Sequence, residues 1–199
     1  MCWTPSKRKN FEVKSYYNYK MRVKLESVDG PRKIIWKSKA PSRVAFFVWT
    51  AVLGKILIID NLRKKRIIVT EWCCMCNKNG ESIVHLLLHG EVALEVWNMV
   101  CQLFGVVWVM SGSLKECLGS WRTQKGNRTI LQIWRMALLC VMWCLWRERN
   151  ERSFEDREIG RMELKKRVLQ TLFSWRVLGH SPQVSTLVEF LDFCASFSN

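Results

Sequence analysis

The sequence predicts a mainly α-helical chain, an irregular helical domain carrying one small cysteine-bearing hairpin-helix unit. Three observations predict this. Apolar residues recur at helical spacing in runs that open on capping residues and stop at Gly. One run, Met136 to Trp146, is apolar on every side, the pattern of a helix buried centrally. The stretch Trp72 to Trp97 sets a Cys-x2-Cys pair and an Asn79-Gly80 loop ahead of an amphipathic run. With 199 residues, 49% of them apolar and 11 of them Trp, the chain has enough apolar surface to bury a core. The longest apolar stretch has 11 residues and follows Arg135, too short to span a bilayer.

In chain order, residues 1–10 are a basic start, and Phe11 to Tyr17 is a brief extended piece followed by Ser15 as a helix N-cap. Asp29-Gly30-Pro31 has turn chemistry and reads as a linker. Pro41-Ser42 opens a helix that Gly54 closes, with Val44, Phe47, Val48 and Ala51 on one stripe and Phe46 and Trp49 widening it. A helix over Ile58 to Ile68 takes Asp60 as its cap and carries Arg63, Lys64, Lys65 and Arg66, read either as a phosphate clamp or nuclear address or as a solvated face. Glu91 to Phe104 is a helix with Val92, Val96, Val100 and Leu103 inward. Trp108 to Gly126, punctuated by Gly and Ser, reads as a connector. Thr129 to Phe154 contains the all-round apolar run, with Trp143 in its core. From its end Arg147, Arg149 and Arg152 emerge, either to grip a phosphate backbone or to pair with Glu148, Glu151 and Glu155. Arg161 to Leu178 is amphipathic and stops at Gly179, His180 is a surface residue, and Gln183 to Phe197 is a short apolar helix.

The chemistry concentrates in Cys73-x2-Cys76-x8-His85-x3-His89. A Cys-x2-Cys turn presents two thiolates, and imidazoles further along close a tetrahedron around Zn²⁺. His85 and His89 lie four apart, on one face of a helix. The fold class is therefore mainly α, with a small zinc-stapled CxxC hairpin-helix unit. The expected metal ligands are Cys73, Cys76, His85 and His89.

Cys73, Cys76, Glu81, Ser82, His85, Leu86, Leu87 and Trp97 resemble the zinc-binding region that follows the polymerase in reverse transcriptases of plant non-LTR (LINE-type) retroelements. Trp36-Lys37-Ser38-Lys39-Ala40-Pro41-Ser42-Arg43-Val44 with Phe46, Phe47 and Trp49 is similar to a second signature of that family. Phe11-Glu12-Val13-Lys14-Ser15 resembles its opening element, and Trp143, Trp146, Arg149, Asn150 and Phe154 the block that follows its zinc region. Gly90 stands where the family has its final cysteine, and Ile58-Ile59 where it has a Pro-Thr cap. The resemblance implies a basic segment over 1–30, a zinc-binding domain over 31–105, a connector over 106–128 and a helical region over 129–199. It also implies a non-catalytic module, cut off from polymerase and ribonuclease H, that holds nucleic acid near the polymerase.

Charge supports a polyanionic partner. Residues 1–70 hold 17 Lys and Arg against 4 acids, out of a net charge of +15. Such a patch attracts RNA or DNA without sequence preference, through counterion release, or else keeps a Trp-rich chain soluble. Cys101, Cys117, Cys140, Cys144 and Cys194 sit in apolar helical runs and read as small buried hydrophobes in a reducing compartment, nuclear or cytoplasmic rather than secreted. Catalysis is not expected. Asp29, Asp60, Asp156 and Asp192 are each isolated, there is no Gly-rich phosphate loop, and Cys76 with His85 lacks an orienting acid. Neither a membrane nor a small-molecule substrate is expected as a partner.

Overall fold

The computed structural model describes residues 29–66, 72–121, 127–178 and 186–196. The expectations for the basic start, the Phe11 to Tyr17 element, Ile67 and Ile68, Gly179 and His180 lie outside them. Among the described residues the regular structure is helical throughout: α1 (Asp29–Lys37), α2 (Ser42–Val52), α3 (Ile59–Lys64), a π-helical turn (His85–His89), α4 (Glu91–Leu103), α5 (Leu114–Ser120), α6 (Arg128–Phe154), α7 (Arg161–Leu178) and α8 (Leu187–Ala195).

Helix α6 is the axis of the packing. It touches α2, α4, α7, α8 and the π-turn. Every residue from Met136 to Met142 is buried, as the all-round apolar run predicts. Its 27 residues are long and apolar enough to cross a membrane, but 67% of the apolar window is covered by the other helices. Asn127 caps it, its side chain accepting the Thr129 N–H.

Several local readings hold to the residue. Helix α2 starts at Ser42, and Gly54, at φ 70°, takes the left-handed turn that ends it. Helix α7 spans Arg161 to Leu178. Of the helix expected over Gln183 to Phe197, the described residues form α8 over Leu187–Ala195 alone, opened by a full capping box in which Thr186 and Glu189 satisfy each other's backbone N–H. The five cysteines of the apolar runs are free and buried.

Others are corrected. Asp29-Gly30-Pro31 is the first turn of α1 rather than a linker, because a proline in a first turn withholds an N–H that has no helical partner there. Helix α3 is only six residues long and Asp60 lies inside its first turn. Ile58 holds the cap position with no side-chain bond. Phe46 is 60% exposed and does not widen the buried stripe of α2.

The stretch expected as a connector carries α5, capped by Ser113, with Leu114, Cys117 and Leu118 buried. Just after it, Trp121 stacks on Trp134 with centroids 3.9 Å apart. Each indole N–H reaches the other's backbone carbonyl, Trp121 Nε1 to Trp134 O at 2.8 Å and Trp134 Nε1 to Trp121 O at 3.2 Å. Trp97, Trp108 and Phe104 pack edge-on around this pair. One apolar core thus runs from Ile34 to Cys194 across the expected boundaries at 105 and 128.

Trp143 is a correction of a different kind. It is half-buried at the seam between α2 and α6, edge-on to Phe47 at 5.6 Å and under the Arg43 guanidinium. Among the described residues the fully buried indoles are Trp97, Trp121 and Trp134. Replacing Trp121 with Ala should therefore cost about 3–5 kcal/mol, and Trp143→Ala distinctly less. Urea denaturation followed by circular dichroism measures both, and equal losses would contradict this placement.

Candidate metal centre

The Cys-x2-Cys segment forms a tight turn. Cys73 O accepts the N–H of Cys76 at 3.3 Å and of Asn77 at 2.8 Å, and the Cys73 N–H reaches across the loop to Asn79 O at 2.7 Å. Asn77 takes the left-handed conformation at φ 54°, which Asn tolerates better than most residues. Both thiols are held to one side of this turn.

Ser82 starts the next element. Its hydroxyl accepts the His85 N–H at 3.0 Å and its carbonyl the Leu86 N–H at 2.8 Å. The chain then widens into the π-turn, where the Gly90 N–H skips to His85 O at 2.7 Å. Widening leaves a carbonyl without its helical donor, and the buried Trp97 indole supplies one, Nε1 to Leu87 O at 2.9 Å. Leu86, Leu87 and Leu88 are buried together and fix the turn against α4 and α6.

These two elements bring three of the four expected ligands together. The donor atoms of Cys73, Cys76 and His85 all lie within 4.8 Å of one another. Cys76 Sγ is 3.3 Å from His85 Nε2. Tetrahedral zinc with ordinary bond lengths separates a thiolate from an imidazole donor by about 3.6 Å, so the set fits zinc with little movement. Burial pushes the Cys73 thiol up to about 12 and holds the His85 imidazole below its ordinary value. Metal binding at neutral pH must therefore displace the Cys73 proton, and affinity should rise with pH.

His89 is not brought into this set. It is exposed, and its Nε2 lies 3.0 Å from Ser111 O. The backbone at Gly90 instead points at the cluster. A Cβ placed there would sit 3.4 Å from His85 Nε2, on the side where a fourth donor belongs, but only 2.8 Å from His85 O. Its φ of −63° and ψ of 148° suit any residue. The only obstacle to a side chain is thus the carbonyl of the π-turn.

What the sequence did not disclose is how this unit is held. Glu81 is 1% exposed and Arg149 3%. Arg149 Nη2 donates to Glu81 Oε1 at 2.8 Å and Nε to Oε2 at 3.0 Å, a two-pronged pair across 68 positions. Glu81 Oε1 also accepts the Ile59 N–H at 3.0 Å, so this carboxylate replaces the missing cap of α3. The Arg149 guanidinium lies over the rings of Trp146 and Phe154. One turn on, Arg152 reaches the carbonyls of Cys74 and Met75, and Ser153 Oγ meets Cys74 Sγ. Arg149 and Arg152 therefore hold the cysteine turn from inside and are not free to grip phosphate. Glu148, fully buried, binds Arg152 Nε at 2.8 Å and the Ile159 N–H at 3.0 Å. Glu81 and Arg149 both stand in the family motifs, but nothing in their spacing paired them.

Arg63, Lys64, Lys65 and Arg66 are exposed at the end of α3, where Arg66 turns out at φ 61°. They share no site with the cysteine cluster.

Two expected outcomes follow from this geometry. Glu81→Ala and Arg149→Ala should each lose about 3–5 kcal/mol of stability, because each strands a buried charge. The double variant should lose much less than their sum, and additive losses in a double-mutant cycle would show that the two do not act as a pair. For the metal, Gly90→Cys should tighten zinc binding by more than about tenfold, read by competition with a chromophoric chelator, while His89→Ala leaves it unchanged. Loss of zinc from the His89 variant would put His89, not position 90, at the fourth place.

Residues 11–97 match the family described as zinc-binding in reverse transcriptase. Over 163 residues, 78% of this chain, the sequence is 22% identical to a protein of Arabidopsis thaliana named by inference as a ribonuclease H protein. The chain spans 25% of that relative's length. No solved structure matches it.

Proposed function

We propose, from the match of residues 11–97 to the reverse-transcriptase zinc-binding family, that this chain is a non-catalytic, nucleic-acid-binding module of a retroelement-derived polyprotein. The observation that carries this reading is the Cys73, Cys76 and His85 cluster, clamped onto the central helix by Glu81 and Arg149. Bound zinc would supply a cross-link between the cysteine turn and the π-turn, and no chemistry beyond that. The chain's own residues do the rest. Glu81 orders the start of α3, at whose far end Arg63 to Arg66 stand in solvent. A cationic surface of this kind holds a phosphate backbone by releasing its counterions, without reading sequence. RNA or DNA of the parent element is the partner, in the nucleus or cytoplasm.

A second reading has its own observation. The cations at the end of α6 and along α7 are paired with acids, and Gly90 removes a metal donor, both of which favour a purely structural bridge or a remnant without present activity.

Titrating the purified chain against a labelled oligonucleotide at several salt concentrations separates the two readings. Log affinity should fall linearly with log salt, and neutralising Arg63, Lys64, Lys65 and Arg66 together should flatten the slope by at most about 0.9 per phosphate contact on a duplex. Absence of binding at low salt would leave the structural bridge.

A further inference from the structure

Two groups of described cations contrast. On the C-terminal half of α6 and the first two turns of α7 they are matched by carboxylates: Arg147 by Glu151, Arg149 by Glu81, Arg152 by Glu148, Arg161 and Lys165 by Glu95, Lys166 by Glu163, Arg167 by Glu148 and Glu151. At the other end of the core the pattern reverses. A groove of about 450 Å³ lies between the end of α1 and the first two turns of α6, and Lys37, Lys39, Arg128 and Arg135 line it. Ser38, Gln132 and Leu131 complete the lining, which contains no acid. Lys37 also borders a second hollow of about 310 Å³, shared with Arg32, Lys33 and Trp36. Among the described residues none of these six cations forms an ion pair with a carboxylate.

Trp36 is the other half of the observation. Its neighbours in sequence, Ile34 and Ile35, are buried in the core, whereas Trp36 is 49% exposed among cations. An indole left half in water beside Arg and Lys offers a flat face to a planar apolar group and charge to whatever anion carries that group. A small apolar ligand does not fit, since Leu131 is the one apolar residue of the larger groove. A strand of nucleotides does, with phosphates along the cations and a base on the indole. An unpaired base is required, because a duplex keeps its base faces stacked within itself.

We infer that the groove between α1 and α6, with Trp36 beside it, is a binding site for single-stranded nucleic acid. This rests on the nucleic-acid reading above and locates it on a surface apart from Arg63 to Arg66. Helix α6 adds to the attraction, since its N-terminus, which has no acid in its first turn, contributes partial positive charge at the groove. Lys37 and Lys39 flank Ser38, whose hydroxyl is bonded to Ile35 O at 2.7 Å, so the backbone that carries the two lysines is held at the bend after α1.

The experiment uses the whole chain with a labelled oligothymidylate and with a duplex of the same length, followed by fluorescence anisotropy over a salt series. The combined variant Lys37→Gln, Lys39→Gln, Arg128→Gln and Arg135→Gln changes exposed or half-exposed side chains, and circular dichroism checks that it folds. It should bind the single strand more weakly, with the salt slope reduced by about 0.7 for each phosphate contact removed. Trp36→Ala should weaken the single strand about 5- to 150-fold and leave the duplex unchanged. If the native chain binds the single strand and the fourfold variant keeps its affinity and slope, this groove is not the site and the nucleic-acid reading stands without it. Equal weakening of strand and duplex by Trp36→Ala would overturn stacking on an unpaired base. A native chain that binds neither probe would overturn the functional reading and this site together.

Discussion

The structure depends on one buried ion pair. Glu81 comes from the loop between the cysteine turn and the π-turn, and Arg149 from near the end of the helix that forms the axis of the core. A carboxylate and a guanidinium removed from water are costly unless their polar atoms are answered. Here each charged nitrogen and oxygen has a partner: Glu81 also accepts the first N–H of α3, and Arg149 also donates to Asn150 Oδ1 and lies over two aromatic rings. The pair therefore fixes three things at once, the start of α3, the entry to the π-turn and the end of α6. Apolar packing could hold these elements near each other, but without a register. A two-pronged Arg–carboxylate contact has a direction, and it sets the cysteine turn at one place along α6.

That placement explains the state of the metal cluster. With the turn docked by Arg149, Arg152 and Ser153, Cys74 faces α6 and is withdrawn from the donor set, although it lies between the two ligand cysteines. Cys73 and Cys76 then face His85. The clamp is made by the chain's own side chains, so the cysteine turn does not rely on a metal for its position. A chain that has Gly at position 90 can keep the shape of the site because Glu81 and Arg149 supply the tether that a fourth ligand would have reinforced. The glycine also leaves room for the close approach of His85 O that closes the π-turn.

How much of this was legible follows from which interactions are local. Helix α2 with its glycine stop, α6 with its all-round apolar run and α7 to its last residue could be read, because caps, stops and periodicity act within a few residues. That Cys73, Cys76 and His85 come together could be read for the same reason: they are close in sequence and metal-donor chemistry has a spacing. Long-range pairing could not. Arg149 looked like a surface cation in a run of alternating charge, and only the fold shows that its partner is 68 residues away. Asp60 looked like a cap, and the actual cap for α3 is that same distant carboxylate. The stretch 106–128 looked like a connector because Gly and Ser punctuate it. Its contribution, Trp121 stacked on Trp134, depends on a partner in another helix. His89 fell on the right face for an ideal α-helix, but the chain there is a π-turn, in which the i, i+4 relation no longer aligns two side chains.

The distribution of charge along α6 links fold to function. A helix is stabilised by acids in its first turn and cations in its last. Helix α6 has the reverse at its start, with Arg128 and no acid, and its acids Glu148 and Glu151 lie toward its end. Those late acids are answered by Arg147, Arg152 and Arg167, so their burden on the dipole is neutralised within the fold. Arg128 and Arg135 have no carboxylate partner among the described residues, and Lys37 and Lys39 are added to them from α1. The positive end of the helix and these cationic side chains are therefore superposed at one place, with no carboxylate partner among the described residues. Such an arrangement lowers the stability of the isolated chain slightly and concentrates positive potential beside a half-exposed indole. Among the described residues no acid lines the groove between α1 and α6, so the positive potential there is not offset from within its own lining.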